Sequence, residues 1–237
     1  HEPSRRQRQM CIRDRSFAVL NCCFLISVFS QQFQWAQNIS GIGYDSGHSI
    51  DVDEEGNVYV TGYFPGEAYF QDNLIIGEGL AEFFLAKYDS DGILLWVETG
   101  GGVARDRGTG VYAAADGNVY VTGYFTGEAW FQDDTLVSQG EKDIFLAKYT
   151  PDGNLIWIEQ AGGTGEDKSK DVAADANGNV VITGQYEDDA DFGGQTLENA
   201  NAFANCFVVK YDSSGNVMWM QNGNGAHLTV GTGVDLD

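Results

Sequence analysis

Gly56–Phe64 reads GNVYVTGYF, and Gly117–Phe125 repeats those nine residues unchanged. A third copy, GNVVITGQY, stands at Gly178–Tyr186. β-Branched and aromatic residues behind a Gly-Asn pair are the composition of a strand entered from a turn. A second block keeps the same phase: FLAKYDSDGILLW at Phe84–Trp96, FLAKYTPDGNLIW at Phe145–Trp157 and FVVKYDSSGNVMW at Phe207–Trp219. Four of the five tryptophans, Trp35, Trp96, Trp157 and Trp219, are spaced 61, 61 and 62 residues apart. A constant period of this length means one supersecondary unit per repeat.

Each unit reads as four strands. In the first they are Ser49–Asp53, Asn57–Phe64, Phe83–Asp89 and Ile93–Thr99. Ser90-Asp91-Gly92, Pro151-Asp152-Gly153 and Ser213-Ser214-Gly215 supply the hairpin turns between the last two strands. The Gly- and acid-rich connector between the second and third strands has room for a small extra hairpin. No stretch keeps a 3.6-residue apolar period. The third strand is apolar on both faces, with Phe83 and Leu85 on one and Phe84, Ala86 and Tyr88 on the other. A sheet buried on both sides must be stacked between other sheets, and radially repeated four-stranded units do this in a β-propeller. A sandwich would alternate more cleanly, and a parallel β-helix needs a shorter period. The expected fold is therefore all-β, with blades at about 45–99, 106–160 and 167–221. A lone fourth strand at 33–40 precedes them and the start of another blade, 229–237, follows. Such a chain is an open arc of a larger ring.

These motifs, G-N-V-Y-V-T-G, then F-x-x-K-Y-D-x-x-G-N-x-x-W, then G-G with a following Asp, resemble the SBBP-type β-propeller repeat of secreted bacterial proteins. The resemblance runs over nearly all of 31–237. It implies one blade per repeat, seven blades in a whole ring, and no particular reaction. Two departures are local: Gly184-Gln185 replaces Gly-Tyr, and Ala114 stands where the other repeats carry Asp53, Asp175 and Asp237. The repeat signature residues are Trp35, Trp96, Trp157 and Trp219, Lys87, Lys148 and Lys210, and Gly62, Gly123 and Gly184.

The first thirty residues differ in kind. Arg5–Arg15, RRQRQMCIRDR, resembles a translated sequencing adapter, so 1–15 is read as an artefact and excluded from fold reasoning. Phe17–Phe29 is an apolar run too short to span a bilayer, which takes about 20 residues. It fits the core of a signal peptide over 16–30, cleaved before Gln31. Cys22 and Cys23 suggest a lipoprotein instead, but Asn21 and the apolar residues beyond them fit that pattern poorly. The chain is expected to be secreted or at the cell surface, without membrane insertion after cleavage. Only Cys206 of the four cysteines follows residue 30, so packing and not disulfides must hold the mature chain. Cys206 reads as a small buried hydrophobe.

The whole chain carries 35 acidic and 13 basic residues, a net charge of −22. That balance excludes nucleic acid, whose phosphates need a basic surface. A catalytic site needs a constellation that breaks the repeat. His48 and His227 do break it, but neither has zinc-ligand spacing or a nucleophile motif beside it. Thr150–Trp157 resembles the sialidase Asp-box with one residue too many between Gly and Trp. Only Arg105 and Arg107 are left to grip a carboxylate. No catalytic residue and no cofactor are assigned. The calcium candidates are Asp45, Asp106 and Asp167, which recur every 61 residues before the first strand, with Glu187–Asp191 the densest acidic run. The competing reading is a solvated acidic face. The three repeated lysines sit in an apolar strand and need partners, for which the in-phase Asp series is the expectation. Two function classes follow: a non-catalytic scaffold or surface that binds protein or glycan outside the cell, and the non-catalytic part of a larger secreted enzyme.

Overall fold

The computed structural model describes residues 34–200, 203–223, 225 and 227–236. The segments read as adapter and signal peptide, 1–15 and 16–30, lie outside the described residues, as do Phe33 and Asp237. The chain divides into His1–Gln34, of which only Gln34 is described, and a compact unit, Trp35–Asp237.

Among the described residues every regular element of that unit is a strand. A short β1 (Ile39–Gly41) leads. The first repeat then gives β2 (Ser46–Val52), β3 (Val58–Phe64), β4 (Glu67–Phe70), β5 (Asn73–Ile76), β6 (Glu82–Tyr88) and β7 (Leu94–Gly101). The second gives β8 (Arg107–Ala113), β9 (Val119–Phe125), β10 (Glu128–Phe131), β11 (Asp134–Val137), β12 (Asp143–Tyr149) and β13 (Leu155–Gly163). The third gives β14 (Lys168–Ala174), β15 (Val180–Tyr186), β16 (Ala190–Phe192), β17 (Gln195–Leu197), β18 (Asn205–Tyr211) and β19 (Val217–Gly223). In each repeat the first, second, third and fourth long strands pair in order and antiparallel, as in β2-β3-β6-β7. The leading strand, expected over 33–40, is regular only at Ile39–Gly41.

The connector does fold into a hairpin, and its edge pairing was not legible beforehand. The β10–β11 hairpin adds to β7 of the preceding blade through Trp130↔Gly101 and Phe131↔Gly100. The β16–β17 hairpin adds to β13, and β4–β5 adds to β1, in the same way. The outer edges of the first two blades, β7 and β13, are thereby covered by the next blade's hairpin, which removes an unpaired strand edge. The Gly-Gly at the end of the fourth strand makes room. A Cβ on Gly100 would lie 2.5 Å from the Phe131 ring, and one on Gly102 would lie 1.9 Å from the Glu128 carbonyl oxygen.

The core lies between sheets, as two-sided third strands require. All seven residues of β6 and of β12 are buried. Between the first two blades Phe83 stacks at 5.1 Å on Phe145 and 5.8 Å on Phe131. Burying one such ring contributes roughly 1.5–3 kcal/mol. In β18 burial alternates instead, because no further sheet covers its outer face. Cys206 is for that reason only half-buried, a correction to its reading as a buried hydrophobe. At the other end Ile50 is 65% exposed, whereas its counterparts Val111 and Val172 are 5% and 3% exposed. The three long-stranded sheets form an open arc, and β2, β8 and β14 run side by side along it.

Candidate functional site

The signature glycines shape each blade from within, while the signature tryptophans and the aspartates read as calcium candidates meet where one blade joins the next. The first set is the glycines. Each first strand carries a β-bulge, with register shifts at Gly47/Ser49, Gly108/Gly110 and Ser169/Asp171. Gly62, Gly123 and Gly184 face these bulges, where a Cβ would meet the Ser46, Arg107 and Lys168 carbonyl oxygens at 1.9, 2.0 and 2.1 Å. The threonine before each glycine closes the sheet from within. Thr61, Thr122 and Thr183 donate to the Phe84, Phe145 and Phe207 carbonyls at 2.7, 2.8 and 2.7 Å.

The second set is the tryptophans. The indole N–H of Trp35 donates to the Ser90 carbonyl (3.0 Å), that of Trp96 to Pro151 (3.0 Å) and that of Trp157 to Ser213 (3.2 Å). Each ring therefore pins the last hairpin turn of the following blade. These three rings are half-buried at the rim of the stack. Among the described residues no hairpin turn of a following blade meets Trp219, which is 43% exposed.

The third set is the aspartates, and here the calcium reading meets a different geometry. Asp106 accepts from Gly102 N (2.8 Å) at the end of the preceding blade and from Thr126 N (3.0 Å) in its own. Asp167 does the same with Gly163 N (2.7 Å) and Glu187 N (3.0 Å). Both side chains are fully buried. Asp45 accepts from Gly41 N at 2.7 Å, but Pro65 stands where Thr126 and Glu187 offer an N–H, and Asp45 Oδ1 is left without a partner. The series ties consecutive blades together, and among the described residues no three His, Cys, Asp or Glu side chains converge as metal ligands. The acidic turns are likewise knit locally. Asp53 accepts from Glu55 N and Asn57 N at 3.0 and 2.8 Å, and Asp175 from Asn177 N and Asn179 N at 3.0 Å each. In the second blade, where Ala114 replaces this aspartate, Asp116 accepts from Asn118 N at 3.0 Å instead.

The lysines do not pair with Asp45, Asp106 and Asp167, whose carboxylates are already engaged by backbone amides. Lys87 donates to the Pro151 carbonyl at 3.1 Å and lies 5.0 Å from the Tyr59 ring centre. Lys148 lies 5.0 Å from the Tyr120 ring. In the third blade Val181 replaces that tyrosine, and Lys210 turns to Asp175 at 3.1 Å. Cation–π contact thus replaces an ion pair in two of three blades.

Of the remaining bases, Arg107, Lys168 and Lys170 stand on first strands and Arg105 and Lys142 just outside strands. Arg107 stacks 4.0 Å over the Tyr63 ring, Lys168 and Lys142 both pair with Glu166, and Lys170 sits at the bulge. Burial, with Lys168 and Arg107 nearby, holds the Lys170 ammonium below its usual range. His48 occupies the equivalent bulge, its Nδ1 3.0 Å from the Gly108 carbonyl, and burial lowers its pKa. His227 stands against Phe203, with ring centres 6.2 Å apart. Neither histidine meets a nucleophile. On the turn side, a cavity of about 290 Å³ opens between the first two blades beside Ala114, walled by Glu54, Glu55, Asp116, Tyr59 and Lys87.

Burial pushes the Asp106 carboxyl up to about 6 and the Asp167 carboxyl up to about 7, against the backbone amides that favour their charged forms. Burial also raises Glu82 and Asp143, which neighbour them across the junctions. These folded values exceed the unfolded one, so folding takes up protons between about pH 4 and 7. The contribution is present at low pH and lost as pH rises through 6 to 7. The melting temperature is expected to be higher at pH 5 than at pH 8, by the equivalent of about 2–4 kcal/mol. Asp167→Asn should flatten that dependence in a pH series of thermal melts; an unchanged slope would show that Asp167 does not titrate there.

Comparison with known proteins agrees with this geometry. The model of the SBBP beta-propeller repeat matches residues 34–63. An uncharacterised WD repeat-containing protein of Acanthamoeba polyphaga mimivirus is 28% identical over 264 residues, covering 90% of this chain and 19% of that protein. The regulatory protein FlaEY of Caulobacter vibrioides is 28% identical over 116 residues, 47% of this chain and 12% of that protein. The chain spans about a fifth or less of the length of these relatives. Residues 34–63 match the SBBP beta-propeller repeat, and the stacked four-stranded sheets are those of successive propeller blades.

Proposed function

We propose that the chain is a secreted, non-catalytic propeller segment that serves as a scaffold and presents a protein- or glycan-binding surface outside the cell. The observation that carries this reading is the use of the repeated polar groups. The Asp106 and Asp167 carboxylates, the Trp indoles and the Thr hydroxyls all bond within or between blades. Residues that break the repeat, such as Ala114 and Trp130, lie beside cavities, where a propeller offers variable side chains to a partner. The runner-up is a larger enzyme whose active residues lie in other blades or another domain, which the small share of the relatives' length keeps in view.

The test is to recover the protein from the culture medium of its source, determine its first residue, and expose it to arrays of glycans and surface proteins. Expected are a mature start at Gln31 and ligands that are retained and chemically unchanged by mass spectrometry. A ligand cleaved or modified by the protein would favour the enzyme, and an uncleaved protein confined to the cytosol would contradict secretion.

A further inference from the structure

Trp130 is the one tryptophan outside the 61-residue series. Its counterparts are Tyr69 and Asp191, so the indole is particular to the second blade. It stands on β10, whose burial alternates, with Ala129 and Phe131 inward and Trp130 outward and 41% exposed. Its cross-strand partners are Thr135 on β11 and Gly101 on β7, the latter with no side chain to cover the ring. Beside it a cavity of about 370 Å³ is bounded by Glu78, Glu82, Thr99, Gly100 and Gln132.

The polar wall of this cavity is one-sided. Glu82 is 8% exposed; the backbone amides of Glu78 and Gly79 favour its charged form, and its Oε2 is buried without a hydrogen-bond partner. An unpartnered buried carboxylate oxygen is costly and demands a donor. Glu78 adds a second carboxylate at the rim. Gln132 has no donor to spare, because its amide already serves Glu98 (2.9 Å), Gly153 (2.8 Å) and Leu155 (2.8 Å). No Lys or Arg lines the cavity. Arg105 bridges Ala81 through its backbone, and no ion pair joins it to Glu82 among the described residues. An aromatic face beside two carboxylates is complementary to a compact cation that donates hydrogen bonds. A saccharide, by contrast, presents acceptors as well as donors, and this wall has almost nothing to give them.

We propose that this cavity receives a cationic side chain, a guanidinium or ammonium group presented by a partner protein, with Trp130 against its face and Glu82 as its buried counter-charge. The proposal rests on the binding-scaffold reading and adds the chemistry of the partner. Glu82→Gln keeps the shape and removes the charge. Trp130→Leu removes the ring, and Glu78→Gln is a second charge variant if Glu82→Gln lowers the melting temperature.

The probe is N-acetyl-arginine amide, a monocation, titrated into the full-length protein while the Trp130 indole N–H is followed by NMR. Chitotriose serves as the neutral comparison. Expected is a saturating shift with the cation, weakened at least tenfold by Glu82→Gln or Glu78→Gln, lost in a Trp130→Leu protein followed by calorimetry, and reduced by salt. The proposal is overturned if the cation gives no shift, if chitotriose alone shifts Trp130, or if the charge variants bind the cation as well as the parent does. A shift by chitotriose alone would leave the binding scaffold standing, whereas turnover of a ligand would remove the scaffold without touching this site.

Discussion

Gly123→Ala is expected to cost at least about 3 kcal/mol and to abolish cooperative melting in a marginally stable domain. The methyl group would sit 2.0 Å from the Arg107 carbonyl oxygen and 2.6 Å from the Phe145 ring. Neither neighbour can yield cheaply. The carbonyl belongs to the paired backbone of β8, and the ring is fully buried between blades. Overpacking of this kind spreads as backbone strain, and here it would part the first and second strands at the bulge. Gly127→Ala is the control, since nothing lies within 4 Å and only a φ of +74° opposes it. Its cost should stay near 1 kcal/mol. Chemical denaturation of the two variants side by side makes the comparison. Equal and small losses would mean that the close approach at Gly123, and so the bulged pairing, is wrong.

Trp157→Ala is expected to destabilise the protein by about 3 kcal/mol, and Trp219→Ala by less than about 1 kcal/mol. The two residues occupy the same place in successive repeats, so propensity and sequence context cancel. Among the described residues a blade follows Trp157 and none follows Trp219. Trp157 stacks 6.1 Å from the Tyr120 ring and bonds the Ser213 carbonyl, while Trp219 remains 43% exposed. Denaturation midpoints of both variants test this, and a loss at Trp219 equal to that at Trp157 would contradict the stacking.

Periodicity made most of the architecture readable. The repeated GNVYVTGYF and the turn before each tryptophan placed the four long strands to within a few residues, and the two-faced third strand implied stacked sheets. What it could not reveal is which blade a repeated residue touches. Trp96 looks the same in sequence whether it fills a core or pins the next blade's turn. Asp106 looks like a solvated or calcium-binding acid until its two backbone donors are seen, one on either side of a junction. The lysines share that ambiguity: an ammonium in an apolar strand calls for a carboxylate by charge alone, and the sequence does not show that Tyr59 and Tyr120 stand across the strand from Lys87 and Lys148. The edge pairing of the connector hairpin was hidden because it depends on the bare backbone of Gly100 and Gly101, which carry no pattern of their own. Trp130 offered a signal that could have been used, being the single tryptophan out of phase.

The central claim is that the repeated residues bind one blade to the next. Hydrogen exchange at the five indole N–H groups, followed by NMR, tests it most directly. Trp35, Trp96 and Trp157 donate to turns of a following blade, whereas Trp130 and Trp219 are 41% and 43% exposed and meet no such turn among the described residues. The predicted result is exchange slowed at least tenfold at Trp35, Trp96 and Trp157 relative to Trp130 and Trp219. Five indoles exchanging at one common, unprotected rate would contradict the account.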